Sequence, residues 1–166
     1  MIRHISASRR IPAAPGTIYG IIADYHDGHR RIVSPKAFRW LAVEKGGVGA
    51  GTEIRFAMRV FGTERVARAV VTEPEPGRVL VESYPESGDV TTFRVDPESS
   101  HGGATVTIAT ALQVRGGLAG RIQGFLAERF LRPLYVEELD RLADVAEGRR
   151  RHDPVPTHPA KQVGGR

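Results

Sequence analysis

The sequence predicts an α+β fold in which a curved antiparallel sheet of about seven strands wraps around one long C-terminal helix. Three observations carry this. From about Phe38 to Val114 the chain falls into short segments of strand character separated by Gly- and Pro-containing turns. An apolar pattern at mainly three- and four-residue intervals then runs without interruption from Leu118 to about Glu147. Ahead of both, one strand is followed by a stretch with room for only short helices.

The first strand covers Ile2 to Ile11 and is stopped by Pro12 and Pro15. Pro15 suits a first helical turn, where a missing N–H has no intrahelical partner, and Ile18, Tyr19, Ile21 and Ile22 give the helix an apolar face until about Asp24. Tyr25 to Lys36 is polar and reads as a short helix or loop. Strands follow at Phe38–Glu44, Thr52–Phe61, Glu64–Glu73, Val79–Tyr84, Val90–Val95 and Ala104–Val114. The segment 52–61 alternates most cleanly, with Ile54, Phe56, Met58 and Val60 on one face and Glu53, Arg55 and Arg59 on the other. Gly116 and Gly117 end the last strand, and Leu118, Ile122, Phe125, Leu126, Leu131, Leu134, Leu139 and Leu142 mark the long helix. Pro133 lies inside it and is expected to kink it without splitting it, because the apolar pattern continues in phase.

At 166 residues and 40% hydrophobic content, the chain has the size and composition of one domain. The formal charge of +5 resides mostly in the last residues: five basic side chains between Arg149 and Arg166 face one acid, Asp153, which leaves residues 1–148 at +1. The expected organisation is therefore one folded domain over 1–148 and a basic, disordered tail over 149–166, with no specific nucleic-acid partner. With no cysteine, disulfides and thiolate chemistry are excluded. No apolar run approaches the roughly 20 residues of a membrane span, and the N-terminus lacks a signal-like pattern, so a cytoplasmic protein, monomer or homodimer, is expected.

The element order, together with local text, resembles the START-like helix-grip superfamily, in particular its polyketide cyclase/dehydrase and lipid-transport branch. The matching stretches are Ile11-Pro12-Ala13-Ala14-Pro15 leading into Ile18–Tyr25, then Gly46–Thr52, Glu73–Leu80, and Leu131–Tyr135 with Glu138–Leu142. They span a resemblance over about Ile2 to Glu147. They are turns and helix starts, so they speak for the fold more than for an activity. The resemblance implies a cavity between sheet and helix that holds a small hydrophobic or amphipathic molecule such as a lipid, isoprenoid or polyketide. The alternative it implies is an aromatase/cyclase or dehydratase working in the same cavity, with Tyr19, Tyr25, His26, His29 and Arg55 as candidates for polarising carbonyls and moving protons. No cofactor and no metal are expected in either case.

Alternation turns Ile54, Phe56 and Met58, Phe93 and Val95, and Val106, Ile108 and Thr110 toward the long helix, from which Ile122, Phe125 and Leu126 answer. Trp40 suits the rim of a pocket, since a buried indole N–H needs a partner. Ordinary core packing is the competing reading for each position. His26 and His29, on one helical face beside Asp24 and Asp27, read first as a solvated polar loop, with acid–base chemistry as the alternative. Arg55 and Arg59 read as an exposed ladder, or, if the alternation is off by one, as guanidinium groups inside the cavity. Gly46–Gly51 precedes a strand and lacks a phosphate-loop ending, which leaves a flexible turn beside the cavity mouth.

Overall fold

The computed structural model describes residues 1–100 and 102–159. The strands are β1 (Ile2–Ile11), β2 (Phe38–Lys45), β3 (Glu53–Val60), β4 (Thr63–Glu75), β5 (Val79–Ser83), β6 (Val90–Pro97) and β7 (Ala104–Gln113). The helices are α1 (Pro15–Ala23), α2 (Gly28–Ile32) and α3 (Gly117–Ala146). All seven strands form one antiparallel sheet in the order β1-β7-β6-β5-β4-β3-β2, so that β1 and β2 are the two edges and every neighbouring pair except β1–β7 is consecutive in the chain. This is the curved meander around a long helix that the strand spacing predicted. Among the described residues, no helix is long and apolar enough to cross a membrane.

The sheet presents one face inward by strict alternation. In register across β6 and β7 lie Val95 opposite Val106, Phe93 opposite Ile108 and Thr91 opposite Thr110, and all six are buried. The second half of α3 answers with Tyr135, Leu139, Leu142 and Ala143, and α1 and α2 add Ile18, Ile22 and Ile32. α3 continues through Pro133 as one element, as the unbroken phase of its apolar residues required.

The first half of α3 departs from the sequence reading. Leu118, Ile122, Phe125 and Leu126 are exposed, whereas Gly120 and Gly124 are buried. The side packed toward the body of the protein is the one carrying small residues: an added Cβ at Gly124 would collide with the Arg3 side chain on β1, and one at Gly120 with the Arg115 backbone. Close approach selects glycine, so the bulkier side chains at Ile122, Phe125 and Leu126 are turned away from the sheet.

The tail departs too. Disorder was expected from Arg149, but residues 149–159 lie against the body, and Val155 is buried. Val155 N–H donates to Arg30 O (2.9 Å), Arg30 Nε donates to Val155 O (2.9 Å), and Leu41 N–H on the outer edge of β2 donates to Pro156 O (2.8 Å). His152 Nε2 lies 2.9 Å from Asp144 Oδ2, and Arg31 donates to His152 O. One apolar side chain and these backbone partners hold a segment that composition alone marks as polar. Lys161 and Arg166 lie outside the described residues.

Candidate ligand cavity

A cavity of about 400 Å³ lies between the inner face of the sheet and the second half of α3. Its apolar wall comes from alternate residues of β3, Ile54, Phe56 and Met58, joined by Phe38 and Leu41 of β2, Phe93 of β6, and Leu131 and Leu134 of α3. Phe56 touches both Phe38 and Tyr84, with ring centroids 5.5 and 6.1 Å away. Toward the surface the lining passes to Val66 on β4 and to Glu86, Ser87 and Asp89 in the β5–β6 turn.

The opposite, buried end is polar. Glu82 on β5 is 5% exposed and accepts two phenol hydrogen bonds, from Tyr25 to Oε1 (2.6 Å) and from Tyr84 to Oε2 (2.7 Å). His29 of α2 stacks on Tyr25 at a centroid distance of 4.2 Å and meets Phe93 edge-on at 5.5 Å. Its Nδ1 lies 2.7 Å from the Ile22 carbonyl, which can only accept, so Nδ1 carries a hydrogen and Nε2 is turned to Glu82 Oε1 at 3.5 Å. Burial first, and the negative charge of Glu82 second, push the Tyr25 and Tyr84 phenols well above their ordinary range, which keeps both as neutral donors.

Across the cavity, the Tyr135 hydroxyl of α3 bonds Thr110, which in turn lies 2.7 Å from the Thr91 hydroxyl. One turn further along α3 stands Glu138, 5% exposed, with Oε1 buried and unpartnered. Burial, and next the charge of Glu82, raise its carboxyl from 4.5 to about 8, opposed by a hydrogen bond from the Ser34 backbone. Among the described residues, no group of three His, Asp or Glu side chains is placed to hold a metal ion.

Of the positions expected to line a pocket, Ile54, Phe56, Met58, Phe93 and Thr110 do so. Val95, Val106 and Ile108 are on the same sheet face but sealed in the packed core, in one cluster with Ile18 and Ile22 of α1. Trp40 is buried without lining the cavity. An irregularity in the β2–β3 register between Phe38 and Trp40 shifts the strand's phase, so that Phe38 and Leu41 face inward instead. Ile122, Phe125 and Leu126 are exposed on the far side of α3 and contribute nothing to the lining.

The polar candidates divide as well. His29, read as part of a solvated loop, is 3% exposed and lines the cavity, while His26 is exposed and borders a separate polar hollow with Arg30, Lys45 and His158. Tyr25 is fully buried behind His29. Tyr19 lies outside the cavity and donates to Glu73 Oε1 (2.6 Å). Arg55 sits on the outer face, opposite Arg68, which pairs with Glu44 and Glu53; this is the exposed ladder of the first reading, with Arg68 as its partner. The glycine turn is pinned, not free: Glu73 Oε2 accepts from Ala50 N–H (2.7 Å), Gly49 N–H donates to Ala23 O (2.9 Å), and Tyr25 N–H donates to Gly47 O (2.9 Å).

Glu82, Tyr84, Thr91, Tyr135 and Glu138 were not singled out from the sequence. The signal was present: Glu82 and Tyr84 share an alternation phase with Leu80, and Glu138 continues the spacing Leu131, Leu134 and Leu142. A carboxylate in phase with an apolar stripe is the informative exception to burial rules.

The sequence profile of the family described as polyketide cyclase/dehydrase and lipid transport matches residues 3–147. No curated protein sequence matches the chain. Among solved structures, the solution structure of KanY protein is similar over 89% of this chain and 99% of that one, at 25% identity and a TM-score of 0.77. Zhui aromatase/cyclase from Streptomyces sp. R1128 is similar over 90% and 96%, at 17% identity and a TM-score of 0.71. Major latex-like protein 151 from Panax ginseng is similar over 87% and 97%, at 8% identity and 0.64; the last two likenesses speak to the fold alone.

Proposed function

Because the chain belongs to the polyketide cyclase/dehydrase and lipid-transport family, we propose that it binds a small amphipathic molecule between its sheet and α3. The observation that carries this reading is the cavity itself: about 400 Å³, walled by Ile54, Phe56, Met58 and Phe93 and closed by the buried group of His29, Glu82 and Glu138. Volumes of about 300–1,000 Å³ with apolar walls and a few fixed polar groups are those of small-molecule sites. Left dry, a void of this size would cost about 10 kcal/mol at about 24 cal/mol per Å³, which favours filling by water or by a ligand.

The test is thermal unfolding of the full chain against a panel of fatty acids, isoprenoids and aromatic ketones. A ligand that binds only the folded state raises Tm, by about 2.7 kcal/mol of added stability at a hundredfold excess over Kd. Absence of any shift across the panel, together with no copurifying molecule in native mass spectrometry, refutes the reading.

One observation favours a second reading, cyclisation or dehydration of a polyketide. His29 lines the cavity with Nδ1 held by the Ile22 carbonyl and Nε2 beside Glu82 Oε1, a placement from which the ring and the carboxylate could together pass a proton to or from a bound ketone. Turnover of a poly-β-ketone surrogate that disappears in His29→Gln, with ligand binding retained, supports catalysis; equal turnover in that variant refutes it.

A further inference from the structure

Within the cavity just described, one carboxyl group is only half satisfied. Among the described residues, Glu138 Oε1 is the buried side-chain oxygen left without a hydrogen-bond partner. The other polar atoms at that end are spoken for: both oxygens of Glu82 accept phenols, and Tyr135, Thr110 and Thr91 bond one another. An unpaired buried polar atom costs about 1–3 kcal/mol, and the residue that carries it is one of those lining the cavity.

We propose that Glu138 recognises the ligand's polar group, its carboxylic acid donating a hydrogen bond from Oε1 to a ketone or similar neutral acceptor on an otherwise apolar molecule. The proposal rests on the cavity being a ligand site. The direction of the bond follows from the surroundings. The charge of Glu82 and exclusion from water both disfavour a second carboxylate, and the Ser34 backbone already donates to the Glu138 carboxyl. What the group lacks is an acceptor. The apolar walls argue in the same direction, since a neutral carbonyl enters them at far less desolvation cost than an ammonium ion does.

Calorimetric titration of the full chain at neutral pH with a shape-matched pair, methyl naphthyl ketone and ethylnaphthalene, tests this. The ketone is expected to bind about tenfold more tightly, the value of one buried hydrogen bond. In Glu138→Leu that advantage disappears while the hydrocarbon keeps its affinity, and in Glu138→Gln, whose amide still donates, most of it remains. Equal affinity of the pair for the unaltered protein overturns the role of Glu138 and leaves the cavity reading standing. Failure of both compounds to bind overturns the two together. Tighter binding of naphthylmethylamine than of the ketone, lost in Glu138→Gln, overturns the proposal in favour of a cation site.

Discussion

Replacing Glu138 by leucine should stabilise the protein at alkaline pH and destabilise it at acid pH. The carboxyl is held at about 8 against an ordinary 4.5, first by burial and then by the charge of Glu82. At about 1.4 kcal/mol per pH unit, that gap sets an upper limit of about 5 kcal/mol on the cost of ionising it in the folded state. Between the two values the folded chain keeps a proton that the unfolded chain has released. Stability therefore falls as pH rises from 4.5 and levels off above 8. The groups facing Glu138 are Glu82 from β5 and Glu137 and Arg141 from its own helix, with His29 from α2 beside Glu82. Leucine fills nearly the same volume and does not titrate, but it strands the Ser34 N–H, at about 1–3 kcal/mol. The difference leaves the variant about 2–4 kcal/mol more stable than the parent near pH 8, or roughly 5–15 °C in Tm for a chain of this size. At pH 4.5 and below, where the ionisation cost is absent and only the stranded N–H counts, the variant should be about 1–3 kcal/mol less stable than the parent. Urea titrations at about pH 5, 6.5 and 8, followed by the fluorescence of the single, buried Trp40, measure it. Parallel stability curves for the two proteins across that range, or a less stable variant at the alkaline end, would refute the reasoning.

Other substitutions probe the same architecture. Tyr25→Phe removes a 2.6 Å donor to Glu82 and should cost about 1.5–3 kcal/mol in urea titration, as a buried bond to a charged acceptor does. Phe125→Ser, at an exposed position, should stay within about 0.5 kcal/mol of the parent, whereas Leu139→Ala in the core should cost about 2–5 kcal/mol; the opposite order would mean that α3 seats its other face. Gly49→Ala should destabilise by more than about 1 kcal/mol, since the position has φ +63° and a Cβ there would strike the Glu73 carboxylate. Val155→Asp should lower Tm by several degrees, because it places a charge where 2% of the side chain meets water.

How far the sequence reaches is seen on β6 and β7. Alternation identified Phe93, Val95, Val106, Ile108 and Thr110 as sharing the inward face, and they do. It carried no information on where along that face packing ends and open volume begins, because that boundary depends on how the helices dock on the sheet, through contacts between residues distant in sequence. On α3 the failure was of a different kind. Apolar spacing identified Leu134, Leu139 and Leu142, which are buried, but it also marked Leu118, Ile122, Phe125 and Leu126, whereas the docked side of that first half runs through Gly120 and Gly124. Hydrophobicity scales give glycine no weight, although close backbone approach is what selects it. His29 was misjudged through its neighbours. His26, Arg30 and Arg31 are polar company, but only His29 has the Ile22 carbonyl and Glu82 to satisfy its ring in the interior.

The docking of the C-terminal segment alters how the sheet ends. β2 is an edge strand, and an unguarded edge offers a row of backbone donors and acceptors to any passing chain. Here the Leu41 N–H is taken by Pro156 O, in a segment whose Pro154, Pro156 and Pro159 have no amide hydrogens of their own to donate. The ladder thus terminates on a stretch of chain that has little capacity to extend it, and protein cut back to Gly148 would show a fresh selvage along which two molecules can stitch themselves together.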